Sequence, residues 1–207
     1  MIIYYSFATL IHFCSKLEYF MKHIAIFASG AGSNAQKIID YFNNHKSINV
    51  ALVVSNNPSA GVLSIAQAHH IPTAIINKKT ITNEVETQSI LAQYHIDFIV
   101  LAGFMIQIPS YLSIKYEQKM LNIHPALLPK YGGKGMYGHH VHEAVFQNKE
   151  NESGITIHFV NEHYDEGQIV FQKSVDITQC KNPQEIAQEV LKLEHENFGK
   201  VIEQIIN

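Results

Sequence analysis

The 207-residue chain contains no arginine, and its fifteen basic side chains are all lysine, against eighteen acidic ones. The formal net charge is −3. Nucleic-acid-binding surfaces are usually basic and rich in arginine, so this composition argues against a nucleic-acid partner. Cysteine is also scarce: Cys14 and Cys180 are too few for a disulfide framework, which fits a reducing cytoplasm. We therefore expect a cytoplasmic globular protein.

The chain also lacks an uninterrupted apolar run long enough to cross a membrane. Residues 1–20 are apolar and aromatic, but two charged residues interrupt them. They show neither the basic start nor the small-residue cleavage site of a signal peptide. A second possible start, Met21, lies directly before a strong strand pattern. We expect residues 1–21 to be an extension outside the fold and residues 22–207 to form a single domain.

From residue 22 onward, strand-like and helix-like segments alternate. The predicted strands are HIAIFAS, NVALVVS, IPTAIIN and DFIVLAGF. The predicted helices between them span residues 35–45, 62–70 and 83–95. This alternation predicts an α/β fold with an open, mostly parallel twisted sheet and helices on both faces. After residue 150, GITIHFV and QIVFQKSVDI are joined by a short polar loop and predict antiparallel C-terminal strands.

A last helix is predicted from Asn182, which can cap it with the help of Pro183 and Glu185. Apolar residues then recur at helical spacing, and Glu194 falls in the middle of the apolar face. Because a lone buried carboxylate is costly, we expect Glu194 to be paired or to meet a ligand. The alternative is a helix edge that reaches water.

The turn GAGSNA, residues 30–35, joins the first predicted strand to a helix and fits the pattern G-x-G-x-x-A. Backbone N–H groups at such a helix start bind anions. A dinucleotide site would need a later acidic residue or an arginine, but the sequence has no Asp or Glu from Tyr41 to Asn83. The turn therefore predicts a phosphate monoester site with help from Ser33 and Asn34. A purely structural tight turn is the alternative.

Asn122 and His124 lie two residues apart on a predicted strand that ends at Pro125. Because the side chains of a strand point alternately to its two sides, these two point to the same side. Asp165 lies in the polar loop between the two late strands, and a carboxylate beside His124 would raise its pKa and orient its ring. Together the three could stabilise a tetrahedral intermediate and manage its protons. No activated serine or cysteine is evident, which favours direct attack of one substrate on another.

The remaining histidines have plainer interpretations. His139, His140 and His142 follow a glycine-rich loop, but H-H-x-H lacks carboxylate or cysteine partners at metal-site spacing. We expect no metal there and exposed or locally bonded rings. For His158, on the strand before the Asp165 loop, a supporting role and a satisfied core histidine both stay open.

Four stretches together resemble the folate-dependent formyltransferase family: FASGAGSNAQKII, VLAGFM, LNIHPALLPKY and HFVNEHYDEGQIV. N-I-H-P followed by L-L-P is shared across that family, and S-G-x-G-S-N narrows the resemblance to its glycinamide ribonucleotide branch. The resemblance covers residues 22–206. It implies a Rossmann-like fold in which residues 22–121 bind the ribonucleotide phosphate and residues 122–207 bind folate and carry the catalytic groups.

The resemblance also implies roles for individual residues. The catalytic residues would be Asn122, His124 and Asp165. The ribonucleotide substrate would be bound by Gly32, Ser33, Asn34, Ala35, Gln36 and Glu194. The folate co-substrate would be bound by Met105, Ile106, Gln107, Ile108, Asn122, Asn161, Glu162, His163, Tyr164 and Asp165.

The implied reaction moves the formyl group of 10-formyltetrahydrofolate to the glycyl amine of 5'-phosphoribosylglycinamide, a step of purine biosynthesis. His124, held protonated by Asp165, and Asn122 would stabilise the oxyanion, and Asp165 would help to remove the amine proton. The resemblance implies small-molecule substrates only, no metal, no membrane partner, and a monomer or homodimer.

The sequence departs from the family at Ile106, where many relatives carry arginine. In the family an arginine often meets the folate tail, and here only Lys78 or Lys79 is nearby in sequence. The glycine-rich loop that contains Lys134 is also longer than usual, and the role of that lysine is open. Three alternative functions remain: another folate-dependent formyltransferase, a formyltetrahydrofolate hydrolase, or a non-catalytic module that binds a phosphate ligand. The presence of all three polar residues argues against the last.

Overall fold

The computed structural model of the chain describes residues 21–207, so the extension expected at residues 1–21 lies outside the described part except for Met21. Within it, the strands are β1 Lys22–Phe27, β2 Ile48–Ser55, β3 Thr73–Ile75, β4 Phe98–Leu101, β5 Met120–His124, β6 Glu152–Phe159 and β7 Ile169–Asp176. The helices are α1 Ser33–Phe42, α2 Gly61–Ala68, α3 Lys78–Thr82, α4 Glu84–Gln93, α5 Ser110–Lys115, α6 His139–Gln147 and α7 Pro183–Ile206. None of these described helices is both long and apolar enough to cross a bilayer.

The strands form one sheet in the order β3-β2-β1-β4-β5-β6-β7. The first five run parallel, whereas β6 pairs antiparallel with both β5 and β7. The predicted mostly parallel α/β sheet with antiparallel C-terminal strands is therefore confirmed. The chain moves outward from β1 to β3 and then returns to β4. This reversal creates a crevice between β1 and β4, which is where open α/β sheets bind ligands.

Helices cover both faces of the sheet because successive residues of a strand point to opposite sides. Ile24 and Ile26 of β1 pack in one core with Phe198 of α7. Phe27 packs in the other core with Leu112 of α5. This double burial explains why the sequence of β1 is apolar without alternation, as expected for a central parallel strand.

The sequence prediction missed three helices, α3, α5 and α6. It also predicted a strand over residues 71–77, which is longer than the observed β3. Helices α3 and α5 have five and six residues, which is too short for an amphipathic period to show. Helix α3 begins because the side chain of Asn77 accepts hydrogen bonds from the amides of Lys79 and Thr80. Helix α6 follows Gly138 without a side-chain cap, so no capping residue in the sequence indicates where this helix begins.

The start of α7 is the one that the sequence predicts. Asn182 accepts a hydrogen bond from the Glu185 amide at 2.9 Å, and Pro183 occupies the first helical position. The Glu185 carboxylate reaches back to the Lys181 amide at 2.7 Å, one residue before the position of an ordinary capping box. These bonds fix where α7 begins and therefore which of its residues face the sheet.

The polar residues of interest lie where β5 ends and β6 turns back. Strand β5 ends at His124, as the sequence predicts. Asn122 pairs with His158 across β5 and β6. The loop of residues 160–168 folds back over this pair and carries Asp165 to it. The antiparallel hairpin thus delivers a loop residue to the end of a parallel strand.

We predict that Gly32→Ala lowers the free energy of unfolding by about 1–3 kcal/mol, because Gly32 has φ of 85° and an added Cβ would lie 2.7 Å from the Val62 Cβ. Chemical denaturation without ligand measures the change. Gly30→Ala is the matched control, since no heavy atom lies within 4 Å of its added Cβ. Equal stability losses in the two variants would contradict the prediction.

Candidate active site

A cavity of about 760 Å³ opens at the edge of the sheet where β4 and β5 end. Its walls come from the segment after β4, the end of β5, the loop before α6, the loop after β6 and one face of α7. Asn34 and Glu194 mark one end of the cavity, and Asn122, His124 and Asp165 line its wall at β5. The cavity is large enough for a cofactor-sized ligand.

The structure brings together the three residues that the sequence singles out for chemistry. The Asn122 amide donates to Asp165 Oδ1 at 3.4 Å, and His124 Nδ1 lies 3.5 Å from Asp165 Oδ2. These contacts are long, as catalytic hydrogen bonds often are before substrate binds. The arrangement places an amide donor, an imidazole and a carboxylate on a single wall of the cavity.

Two further groups hold the Asp165 carboxylate. The Gly133 amide donates to Oδ2 at 2.9 Å, and His158 Nε2 lies 3.5 Å from Oδ1. His158 Nδ1 donates to the Phe159 carbonyl at 2.8 Å, and its Nε2 lies 3.2 Å from the Asn122 amide nitrogen. Of the two roles left open for His158, the geometry favours support of Asn122 and Asp165.

Asp165 keeps its negative charge despite burial. Burial by itself raises the pKa of its carboxyl, but the neighbouring His158 and His124 rings and the Gly133 N–H together lower that pKa below its ordinary value. The residue also has φ of 56°, a left-handed conformation that aspartate tolerates better than most residues. The site therefore presents an ionised carboxylate that can accept a proton.

The expectation that Asp165 keeps His124 protonated is wrong for the ligand-free site. Only 3% of His124 is exposed, and this burial lowers its pKa below the ordinary value, although Asp165 and the Tyr131 carbonyl act in the opposite direction. His124 Nε2 donates to the Tyr131 carbonyl at 2.7 Å, which leaves Nδ1 facing Asp165 and the cavity. His124 thus starts as a neutral ring with a free acceptor nitrogen.

His142 is buried, so the expectation of an exposed or locally bonded ring is wrong for this residue. It lines the cavity, and burial lowers its pKa to about 4. Its Nδ1 has no hydrogen-bond partner within residues 21–207. His139 and His140 are exposed, and Glu143 brings a carboxylate oxygen to within 4.8 Å of their ring nitrogens, a partner that the sequence reading overlooked.

Glu194 is buried and faces the other end of the cavity. Asn34 Nδ2 donates to its carboxylate at 2.7 Å. Burial raises the pKa of Glu194 to about 7, and the Asn34 hydrogen bond opposes that rise. Glu194 is thus both paired and open to the cavity, as its place on an apolar helix face suggested.

The other predicted ribonucleotide residues lie at the first turn of α1 rather than in the cavity wall. The amides of Ser33, Asn34 and Ala35 cannot bond within the helix, because the first turn lacks acceptors for them. The Gln36 amide donates to the Gly32 carbonyl at 2.8 Å, and the Gln36 side chain contacts Asp40 and His69. The N–H groups of the first three residues of α1 are thus left without acceptors inside the helix.

All ten residues predicted to bind folate line the cavity, in the two segments 105–108 and 161–165 together with Asn122. The first segment is held by Ser29, whose hydroxyl accepts a hydrogen bond from the Met105 amide at 2.8 Å. Sequence reasoning missed Ser29, because one serine in a turn carries no positional signal. It also missed the apolar wall that α7 contributes to the cavity through Ala187, Val190 and Leu191.

We predict that Glu194→Gln stabilises the fold at pH 8 by roughly 1–3 kcal/mol and has little effect at pH 4. The pKa of Glu194 rises from 4.5 in the unfolded chain to about 7 in the fold, so its folded form binds the proton more tightly. Its contribution to stability is therefore full below pH 4.5 and lost as pH rises through 7. Denaturant titrations at both pH values measure this difference.

The matched control is Glu189→Gln on the same helix, where the carboxylate is partly exposed and lies 2.7 Å from the Lys192 ammonium nitrogen. Because this ion pair favours the charged form of Glu189, the control variant should not stabilise the fold at pH 8. A Glu194→Gln effect of equal size at pH 4 and pH 8 would contradict the assigned pKa and its origin in burial.

Comparison with known proteins identifies the fold family. The family model described as formyl transferase matches residues 22–202. Phosphoribosylglycinamide formyltransferase of Bacillus subtilis is 35% identical over 191 residues, covering 90% of this chain and 95% of the relative. The chloroplastic enzyme of Arabidopsis thaliana is 39% identical over 188 residues, covering 87% of this chain and 64% of that protein. The chain thus spans less than two thirds of this plant relative.

Solved structures agree with these sequence matches. The crystal structure of phosphoribosylglycinamide formyltransferase from Bacillus halodurans superposes with a TM-score of 0.82 and 32% identity, covering 90% of this chain and 96% of that one. The corresponding enzyme of Anaplasma phagocytophilum gives a TM-score of 0.82 at 29% identity, covering 89% and 86%. Together with the sheet order and the cavity, these matches show that the chain belongs to the formyl transferase family.

Proposed function

We propose that the chain is a phosphoribosylglycinamide formyltransferase that uses 10-formyltetrahydrofolate as its co-substrate. The observation that carries this proposal is one continuous cavity. It has Asn122, His124 and Asp165 on one wall and reaches Asn34 and Glu194 beside the first turn of α1. The relative of Bacillus subtilis, which the chain matches over nearly its whole length, is named for this activity.

The two ends of the cavity suit the two substrates. At the ribonucleotide end, the free amides of the first turn of α1 suit a phosphate, since helix N-termini bind anions. The Glu194 carboxylate can accept hydrogen bonds from ribose hydroxyls. At the other end, segment 105–108 supplies mainly apolar side chains and segment 161–165 supplies polar side chains and backbone groups, a combination that suits a flat pterin ring. The reacting amine and formyl group would then meet at β5.

The chemistry follows from the charge states at β5. The glycyl amine attacks the formyl carbon, and the carbonyl oxygen becomes an oxyanion that Asn122 can stabilise with an N–H. Asp165 is ionised and accepts the amine proton directly or through water. His124 begins neutral, so its Nδ1, 3.5 Å from Asp165, can receive that proton from the carboxylate as negative charge develops on the substrate nearby. The bond to the folate nitrogen then breaks as that nitrogen takes the same proton from His124, which returns to its neutral form.

We further propose that residues 22–207 act as one domain, with residues 22–121 holding the ribonucleotide and residues 122–207 holding folate and the catalytic groups. The enzyme works in the cytoplasm as a monomer or homodimer, on small molecules alone and without a metal. The cavity supports this division, because its lining residues come from both halves of the domain.

We predict that Asn122→Ala lowers kcat by about 10²–10³, the usual cost of removing one oxyanion donor. The absorbance change of 10-formyltetrahydrofolate in the presence of 5'-phosphoribosylglycinamide measures turnover. Asn49→Ala, at an exposed position of β2, is the control and should keep full activity. Near-normal turnover by a folded Asn122→Ala enzyme would remove Asn122 from the mechanism.

The same assay separates the alternative functions. A formyltransferase should consume 10-formyltetrahydrofolate only when the ribonucleotide amine is present. Equal consumption without the amine would indicate a hydrolase instead. A wild-type chain that binds both compounds and turns over neither would indicate a non-catalytic binding module.

A further inference from the structure

The cavity is poor in positive charge. Among the residues of 21–207 that line it, Lys134 is the single lysine, and the whole chain has no arginine. Three carboxylates line the same cavity: Glu162, Asp165 and Glu194. Burial keeps His124 and His142 below their ordinary pKa values, so these rings do not supply a standing charge. Both proposed substrates are nevertheless anions, one through a phosphate and the other through glutamate carboxylates.

The backbone presents Lys134 at the corner of a tight turn. The Met136 amide donates to the Gly133 carbonyl at 3.1 Å, which places Lys134 and Gly135 at the two central positions. Gly133 and Gly135 both have φ of 92°, a conformation that favours glycine. A Cβ added to either glycine would meet no heavy atom within 4 Å, so their conformation rather than close packing calls for glycine.

This turn is tied to the catalytic carboxylate. The Gly133 amide, one residue before Lys134, donates to Asp165 Oδ2 at 2.9 Å. The turn therefore holds the Lys134 backbone next to the β5 wall, while the lysine side chain itself is long and exposed. A flexible lysine at such a corner can reach a charged group near the mouth of the cavity.

We propose that Lys134 recognises the glutamate carboxylates of the folate co-substrate, and this inference rests on the proposed function. The ribonucleotide end has other means to hold a phosphate, namely the free amides of α1 and Lys37, which lies close enough to affect His195. The folate segments 105–108 and 161–165 contain no lysine and add two carboxylates. Lys134 is therefore the one lysine of the cavity lining, among residues 21–207, that can meet the folate tail.

The test is a comparison of Lys134→Gln, Lys134→Arg and the control Lys46→Gln, an exposed lysine outside the cavity lining. Lys134→Gln should raise the KM for 10-formyltetrahydrofolate about two- to fivefold, the range expected of an exposed ion pair. The increase should be larger for the triglutamate form, and the KM for the ribonucleotide should stay constant. Lys134→Arg should restore the folate KM. In Lys134→Gln, added salt should change the folate KM less than in wild type.

A raised ribonucleotide KM with an unchanged folate KM would overturn the proposal, and so would unchanged values for both. Direct titration with folic acid and its triglutamate separates this test from the proposed function. If wild type shows no turnover, the formyltransferase assignment fails, yet weaker triglutamate binding by Lys134→Gln would still support the role of Lys134. Equal triglutamate binding by wild type and Lys134→Gln would refute it.

Discussion

The site depends on one buried carboxylate, that of Asp165. Its two oxygens meet four groups: Oδ1 faces Asn122 and His158, and Oδ2 faces His124 and the Gly133 amide. An ionised carboxylate away from water is costly unless donors surround its oxygens. The charge of Asp165 therefore holds together three parts of the chain that are far apart in sequence: the end of β5, the loop before α6 and the loop after β6.

The pKa values of two carboxylates in one cavity shift in opposite directions because their surroundings differ. Asp165 is stabilised by several donors and nearby rings, and its pKa lies below the ordinary value. Glu194 lies on an apolar helix face with the single Asn34 donor, and burial raises its pKa to about 7. The number of donors, rather than depth alone, thus separates the pKa values of the two groups. This separation is consistent with the roles proposed for them: proton acceptance at β5, and hydrogen bonding to neutral hydroxyls at α7.

Much of this arrangement could be predicted from residue patterns. The alternation on β5 and its stop at Pro125 predicted that Asn122 and His124 share a side, and the periodicity of α7 placed Glu194 on its buried face. The backbone partners could not be predicted, since the Gly133 amide and the Tyr131 carbonyl belong to residues of any type. The charge of His124 was misjudged for a related reason. One favourable neighbour is visible in sequence, whereas the burial that outweighs it is visible only in the fold.

A neutral His124 also changes how the reaction must be understood. A ring that was already charged would form a standing ion pair with Asp165, and that pairing would compete with the developing oxyanion. Here Asp165 does not offset the effect of burial on the ring, and negative charge on the substrate raises the proton affinity of Nδ1 further. Proton uptake is thereby linked to the transition state, where stabilisation accelerates the reaction, rather than to the ground state. The scarcity of positive charge around β5 serves the same end, because a fixed cation at β5 would oppose protonation of His124. A cation on a flexible side chain at the mouth of the cavity, such as that of Lys134, can attract anionic substrates without opposing the protonation of His124.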